Sequence, residues 1–214
     1  MPGKFRAIVF DVDGVLTEID SVWRFIHGHL NTLQKARENA KLFYSGKISY
    51  EEWARLDVEL WKGVSRRRII SIVEKIPVKE GLAELISFLK KRKLKVFAIS
   101  AGLDLVEMPL RRHASFDEFV ANRLLFDNDV VSGEVEVYVT VENKGEVLGE
   151  LCARHGIDLC ETIAVGDSEV DISMFEVAGL SIAFNPKDLR IAMHADVAVY
   201  GDLLKMLRLF KKIL

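Results

Sequence analysis

The sequence predicts an open, mostly parallel α/β sheet wound with helices on both faces, with a helical insertion directly behind its first strand. Three observations predict it. Ala7-Ile8-Val9-Phe10 is a continuous apolar run, the pattern of a strand buried on both faces. From Gly81 onward, amphipathic helices alternate with further short apolar runs, as in successive βαβ units. Between these two regions, Glu18 to Val78 shows helical periodicity almost throughout. The division expected is an α/β core over 1–17 and 79–214 and a helical cap over 18–78.

Each element has its own grounds. Trp23, Phe25, Ile26 and Leu30 give the insertion its first apolar face, interrupted at Gly46. Ser49, with Glu52 three residues on, starts a helix carrying Trp53, Leu56, Leu60 and Trp61. Gly63 stops it, Ser65 caps a helix with Ile69, Ile72 and Val73, and Pro77 ends the block. His27 and His29 read as ordinary packing or surface residues. Leu82, Leu85, Ile86 and Leu89 form an amphipathic helix whose last cations, Lys90 to Lys93, complement its dipole. Leu94–Ile99 is a second buried strand followed by Ser100-Ala101-Gly102, and a helix is expected from Leu103 to Arg112. Phe119–Val141 reads as short strands with turns at Asp127-Asn128-Asp129 and Ser132-Gly133. Asn143 is expected to cap a helix containing Val147, Leu148, Leu151 and Cys152. Thr162–Val165, Leu180–Phe184 and Val197–Val199 are further strands, and Asp202 starts the last helix.

Composition narrows the function classes. The 214 residues are half hydrophobic, enough for a sizeable core, and the formal net charge of −2 gives no general case for nucleic-acid or membrane binding. Cys152 and Cys160 form neither a disulfide framework nor a metal cluster. Met1-Pro2-Gly3-Lys4 begins no long apolar leader, and no stretch reaches the ~18 apolar residues of a membrane span, so a reducing cytoplasm is expected.

The chemistry is read from the strand ends. In open α/β sheets ligands bind outside the carboxyl ends of the strands. Three ends here are polar: Asp11 and Asp13, Ser100 with Gly102, and Asp167 with Asp171. Lys144, in the first turn of a helix, is a fourth candidate. Each has a plainer reading alone: solvated acids, a bare N-cap, a surface lysine. Together they form one anion-and-metal site, since carboxylates hold Mg²⁺ while a hydroxyl, backbone N–H groups and a lysine hold phosphate oxygens.

Asp11-Val12-Asp13-Gly14-Val15, Ser100, Lys144 and Gly166-Asp167-Ser168-Glu169-Val170-Asp171 resemble the four ordered motifs of the haloacid dehalogenase superfamily. Within it, Ile99-Ser100-Ala101-Gly102, Ala121-Asn122-Arg123-Leu124, Glu142-Asn143-Lys144-Gly145 and Asp171-Ile172-Ser173-Met174-Phe175 are similar to the phosphoserine phosphatases, as is the helical cap after the first motif. The resemblance implies a Mg²⁺-dependent hydrolase of a small phosphorylated metabolite. Asp11 would be the nucleophile and Asp13 the general acid and base. Mg²⁺ would be held by Asp11, Asp13 and Asp167, and phosphate by Ser100, Ala101, Gly102 and Lys144, with Asp171 in support. Asp13 argues against dehalogenation, which needs no acid there. A phosphomutase shares the chemistry, and a phospho-receiver module shares the residue types but lacks the insertion.

The cap departs from that family. Asp20 stands near its amino-recognising glutamate, Asp57 falls where it places a carboxylate-binding arginine, and Arg55 lies two residues away. Val170 replaces the usual asparagine before the last aspartate. With Asp20, Arg55 and Asp57 as the recognition candidates, an acid at 57 predicts preference for a neutral or cationic phosphate ester over phosphoserine.

Overall fold

The computed structural model describes residues 4–214. Met1, Pro2 and Gly3, read above as the start of a chain without an apolar leader, lie outside the described residues.

The fully buried run is strand β1 (Ala7–Phe10). Four helices follow: α1 (Val22–Leu30), α2 (Leu33–Tyr44), α3 (Tyr50–Glu59) and α4 (Arg66–Val73). The core continues through α5 (Leu82–Lys91), β2 (Lys95–Leu103), α6 (Glu107–Arg111), the hairpin β3 (Glu118–Asp127) and β4 (Val130–Glu136), α7 (Lys144–His155), β5 (Thr162–Gly166), α8 (Ile172–Val177), β6 (Leu180–Phe184), α9 (Leu189–Met193), β7 (Val197–Val199) and α10 (Leu203–Ile213). The sheet runs β4-β3-β2-β1-β5-β6-β7, with β4 alone antiparallel to its neighbour.

Side chains of β1 alternate between two apolar layers. Ile8 and Phe10 pack with Leu82, Leu89 and Phe210 of α5 and α10, while Ala7 and Val9 pack with Leu148, Leu151 and Phe175 of α7 and α8. Register then places the chemistry. Phe10 lies opposite both Ala98 and Val165, and Asp11 N–H continues the ladder to Val165 O at 2.8 Å. The residues that end β1, β2 and β5 therefore emerge side by side.

Local chemistry explains most boundaries and some departures. Ser49 and Ser65 accept the N–H groups of Glu52 and Arg68 at 3.2 Å, as N-caps should. The first stretch of the insertion is two helices rather than one. Asn31 sits in the left-handed region at φ 58°, which asparagine tolerates, and ends α1. Asn128 and Asp129, at φ 46° and 62°, make the expected tight turn of the β3–β4 hairpin. Ser132-Gly133 is not a second turn; it lies within β4, where the pairing slips and Gly133 adopts φ +95°. Leu103 ends β2 instead of starting a helix, because the strand continues through an irregular register at Ser100–Leu103. Asn143 precedes α7 but does not cap it, since its Oδ1 accepts from Thr140 N–H instead.

The α3–α4 connection is tied to the hairpin by Gly63 N–H to Val131 O (2.9 Å), Val131 N–H to Val64 O (2.8 Å) and Arg66 N–H to Asp129 O (2.7 Å). Cys152 is buried, Cys160 exposed, and both are free. Among the described residues no helix is long and apolar enough to cross a membrane.

Candidate active site

Four segments meet at the carboxyl edge of the sheet. Asp11 and Lys144 are buried and form an ion pair between Asp11 Oδ1 and Lys144 Nζ. The same ammonium donates to Asp171 Oδ1 at 2.6 Å. Asp171 Oδ2 accepts from Asp167 N–H (2.9 Å), Ser168 N–H (3.0 Å) and the Ser168 hydroxyl (3.2 Å), so the last motif holds its own turn in place. Asp13 reaches the other way: its Oδ2 accepts Val22 N–H at 2.7 Å, at the first residue of α1. Gly14, at φ +88°, lets the chain pass under Asp167; a Cβ there would collide with Asp167 Oδ2. Ser100 Oγ accepts Gly102 N–H at 2.9 Å inside the irregular end of β2, which fixes this loop beside the acids.

The charges do not balance. Asp11, Asp167 and Asp171 are buried, and each offers an oxygen within 4.8 Å of the others. Lys144 serves two of them, and Lys187 pairs with Asp167 Oδ2 at 2.9 Å. Three carboxylates thus share two cations. Burial raises the pKa of Asp11 well above the usual carboxylate range, and the charge of Asp171 adds to the shift against the pull of Lys144. Burial also pushes Asp13 up to about 6, opposed by the Val22 N–H, and Asp167 up to about 6, opposed by Lys187. Burial works against the charge of Lys144, but Asp11 and Asp171 together outweigh it and its pKa rises. Asp167 Oδ1 and Asp13 Oδ1 are buried without a hydrogen-bond partner among the described residues. An excess carboxylate and an unpartnered buried oxygen on Asp167 are what a hard divalent cation requires, so the residues fit such an ion. The carboxylate of Asp13 is outside the converging trio.

Above the acids lies a cavity of about 340 Å³. Its floor includes Asp11, Asp13, Ser100, Ala101, Gly102, Lys144 and Lys187, and its roof is one face from each of three helices. On α1 these are Trp23, Arg24 and His27; on α2 Leu33, Ala36, Arg37, Ala40 and Tyr44; on α3 Tyr50, Trp53, Ala54 and Asp57. The spacings of three, four and seven are those of a single helical face. The roof is seated on the loop after Ser100: Trp23 Nε1–H and the Tyr50 hydroxyl donate to Ala101 O at 3.0 and 2.8 Å.

Of the three roof candidates from the sequence, Asp20 and Asp57 line the cavity and Arg55 does not. Arg55 is exposed, roughly 150° round α3 from the lining face at 100° per residue. Of the two residues weighed for the arginine position, the cavity therefore brings in Asp57 and leaves Arg55 on the outer face of α3. Asp57 is buried, accepts Asn39 Nδ2–H at 2.8 Å and lies 3.4 Å from His27 Nε2. His27 is fully buried; its Nδ1 accepts Trp61 Nε1–H at 3.0 Å, so the ring proton sits on Nε2, which makes no hydrogen bond among the described residues.

The haloacid dehalogenase-like hydrolase family matches residues 5–179. The chain belongs to this family. It is 32% identical over 213 residues to a phosphoserine phosphatase of Methanocaldococcus jannaschii, covering 99% of this chain and all of that one. It is 30% identical to one from Archaeoglobus fulgidus, covering 86% of this chain but only 54% of that relative. Two solved structures superpose with a TM-score of 0.81. One is a phospho-aspartyl intermediate analogue of phosphoserine phosphatase (31% identical, 95% of this chain and 98% of that). The other is a substrate-bound phosphoserine phosphatase (30%, 95% and 97%). The chain is accordingly a phosphoric monoester hydrolase of the haloacid dehalogenase-like family, and a receiver-like binding module is set aside.

In this hydrolase several site residues carry no signal in the sequence. Lys187 follows β6 in an irregular loop, and only its place after a strand end hints at the site. Arg24 and Arg37 sit at helical spacing with Trp23, His27, Ala36 and Ala40, a pattern that shows one shared face but not that the face is a cavity wall. Asn122, by contrast, lies in the Ala121–Leu124 stretch singled out in the sequence, and it ties the end of β2 to the chain after β4: its Oδ1 accepts Tyr138 N–H (2.8 Å) and Val139 N–H (2.9 Å), and its Nδ2–H donates to Ala101 O (3.0 Å) and Val139 O (2.9 Å). Asn122→Ala is expected to lower unfolding free energy by about 2–4 kcal/mol, because buried amides lose their acceptor. Urea denaturation checks this; an unchanged midpoint would show that the network does not stabilise the fold.

Proposed function

We propose that the chain hydrolyses a small phosphorylated metabolite through an aspartyl-phosphate on Asp11. The observation that carries this is the setting of Asp11: a buried carboxylate on the cavity floor, held through one oxygen by Lys144 while the other makes no hydrogen bond to the described residues. That oxygen attacks phosphorus as the bond to the alcohol oxygen breaks. Asp13, with its raised pKa, gives the leaving alcohol a proton. It then takes a proton from the water that attacks the aspartyl-phosphate, which releases inorganic phosphate and restores Asp11. Lys144, the Ser100 hydroxyl proton and the N–H of Ala101 position the phosphoryl oxygens, while the Gly102 N–H is already held by Ser100 Oγ and the Ala101 carbonyl by three donors. Asp171 keeps Lys144 aimed at Asp11.

Mg²⁺, held by Asp11, the main chain at Asp13 and Asp167, would neutralise charge on the phosphate. Asp171 is the poorer ligand, since its oxygens are already taken by Lys144 and the Asp167–Ser168 turn. The proposed setting is the cytoplasm, in keeping with two free cysteines. Phosphoserine is among the esters to test first, given the relatives' names and the free carboxylate of Asp20 on the wall.

A panel of phosphorylated metabolites assayed with Mg²⁺ and with excess chelator tests the reading. Chelation is expected to lower turnover at least about tenfold, with recovery on adding Mg²⁺. Full activity in chelator would remove the ion from the scheme.

A further inference from the structure

We infer that Arg24 and Arg37 form an oxyanion subsite for the leaving alcohol, so that the preferred ester carries a second anionic group, a carboxylate or another phosphate. The inference rests on the phosphatase reading above and names the substrate class of that same cavity. It starts from the charged groups on the cavity wall. Lys144 is consumed by Asp11 and Asp171, and Lys187 by Asp167. Asp57 is held by Asn39 and faced by His27. Arg24 and Arg37, by contrast, make no ion pair and no side-chain hydrogen bond among the described residues, yet both line the cavity.

Neither arginine is paired with an acid among the described residues, although Asp20 stands one turn before Arg24 on the same wall. Glu38, next to Arg37, pairs with Lys35, and Asp57, on the same wall, accepts from Asn39. The two arginines come from different helices and sit on the faces those helices turn to the cavity. Arg24 lies one residue from Trp23 and three from the buried His27, and Arg37 is adjacent to the buried Ala36. Long stems that pack along such a wall leave guanidinium groups at its rim. Guanidinium forks match carboxylate and phosphate oxygens with paired, charge-assisted hydrogen bonds. The free carboxylate of Asp20 leaves room for an ammonium on the same alcohol. This runs against the preference that Asp57 alone suggests: Asp57 is held by Asn39 and keeps its charge, but two cations on α1 and α2 outnumber it on the wall.

The test compares specificity constants within each protein, so that changes in the chemical step cancel. Phosphoethanolamine is the reference. Phosphoserine adds a carboxylate, and propanediol bisphosphate replaces the ammonium arm with a second phosphate. The wild type is expected to favour one or both anionic esters over phosphoethanolamine by about tenfold or more. Arg24→Gln and Arg37→Gln should each cut that ratio about three- to tenfold, mainly through KM, the size of a charge-assisted bond partly exposed to water. Arg→Lys at either position should restore part of it. A larger gain for phosphoserine assigns the subsite to carboxylate, and a larger gain for the bisphosphate assigns it to phosphate. A wild type that prefers phosphoethanolamine, or ratios unmoved in both Gln variants, would overturn the proposal. Loss of all Asp11-dependent hydrolysis of nitrophenyl phosphate would instead overturn the phosphatase reading beneath it.

Discussion

Asp11→Asn is expected to lower turnover of nitrophenyl phosphate by on the order of 10⁴-fold or more, the scale seen when a covalent nucleophile is removed, while the protein stays folded. The amide has nearly the same shape as the carboxylate but is a poor nucleophile and a neutral ligand. Its carbonyl oxygen can still accept from Lys144, and Lys144 keeps Asp171 as a charged partner at 2.6 Å. The substitution also removes one of three buried carboxylates that share two lysines, which relieves repulsion. Thermal unfolding should therefore show a melting temperature equal to or above that of the wild type in the absence of divalent ions. The combination matters: lost activity with a lost fold would say nothing about chemistry, whereas lost activity with an equal or higher melting temperature assigns the loss to what Asp11 does in the site, as nucleophile and as ligand, and not to the fold. Wild-type turnover in Asp11→Asn would exclude Asp11 from the covalent step.

The catalytic floor was legible in the sequence because its chemistry is local. A strand buried on both faces declares itself by four apolar residues in a row, and parallel register then forces its end beside the ends of its neighbours. Asp11, Ser100 and Asp167 follow from that rule alone. The wall was less legible because a helical face states its own composition and not what it faces. Arg24 and Arg37 belong to amphipathic helices whose polar residues would look the same in bulk solvent; only the packing of α1, α2 and α3 over the loop after Ser100 turns them towards a cavity. The same limit applies to Arg55, which does not line the cavity. Two positions along the chain are 200° around a helix, so sequence proximity to Asp57 placed it on the wrong side. Asn31 hid the break between α1 and α2, since a single asparagine in the left-handed region leaves apolar periodicity nearly undisturbed on both sides. Lys187 is reached through a loop and answers to no period.

Asp13→Asn is expected to cost ~10²–10⁴-fold in turnover, unevenly across substrates. The carboxyl is set up for proton transfer by two features. Its Oδ2 is fixed by the Val22 N–H at 2.7 Å, and burial lifts its pKa to about 6, so near neutrality it can both carry and release a proton. An asparagine carbonyl can keep the bond to Val22, so α1 should start where it does now and far-ultraviolet circular dichroism should be unchanged. What the amide cannot do is donate a proton to a departing oxygen and take one back from water. An alkyl alcohol leaves as a strongly basic alkoxide unless it is protonated, whereas nitrophenolate departs without help. The loss on an alkyl phosphate should therefore exceed the loss on nitrophenyl phosphate by about tenfold or more in the step that forms the aspartyl-phosphate, measured by a single-turnover assay. Breakdown of the intermediate should slow equally for both esters, because by then the alcohol has gone, and so a nitrophenyl burst should appear in the variant. Equal losses in the first step, with no burst, would mean that Asp13 holds the α1 N-terminus over the site and that the proton comes from elsewhere.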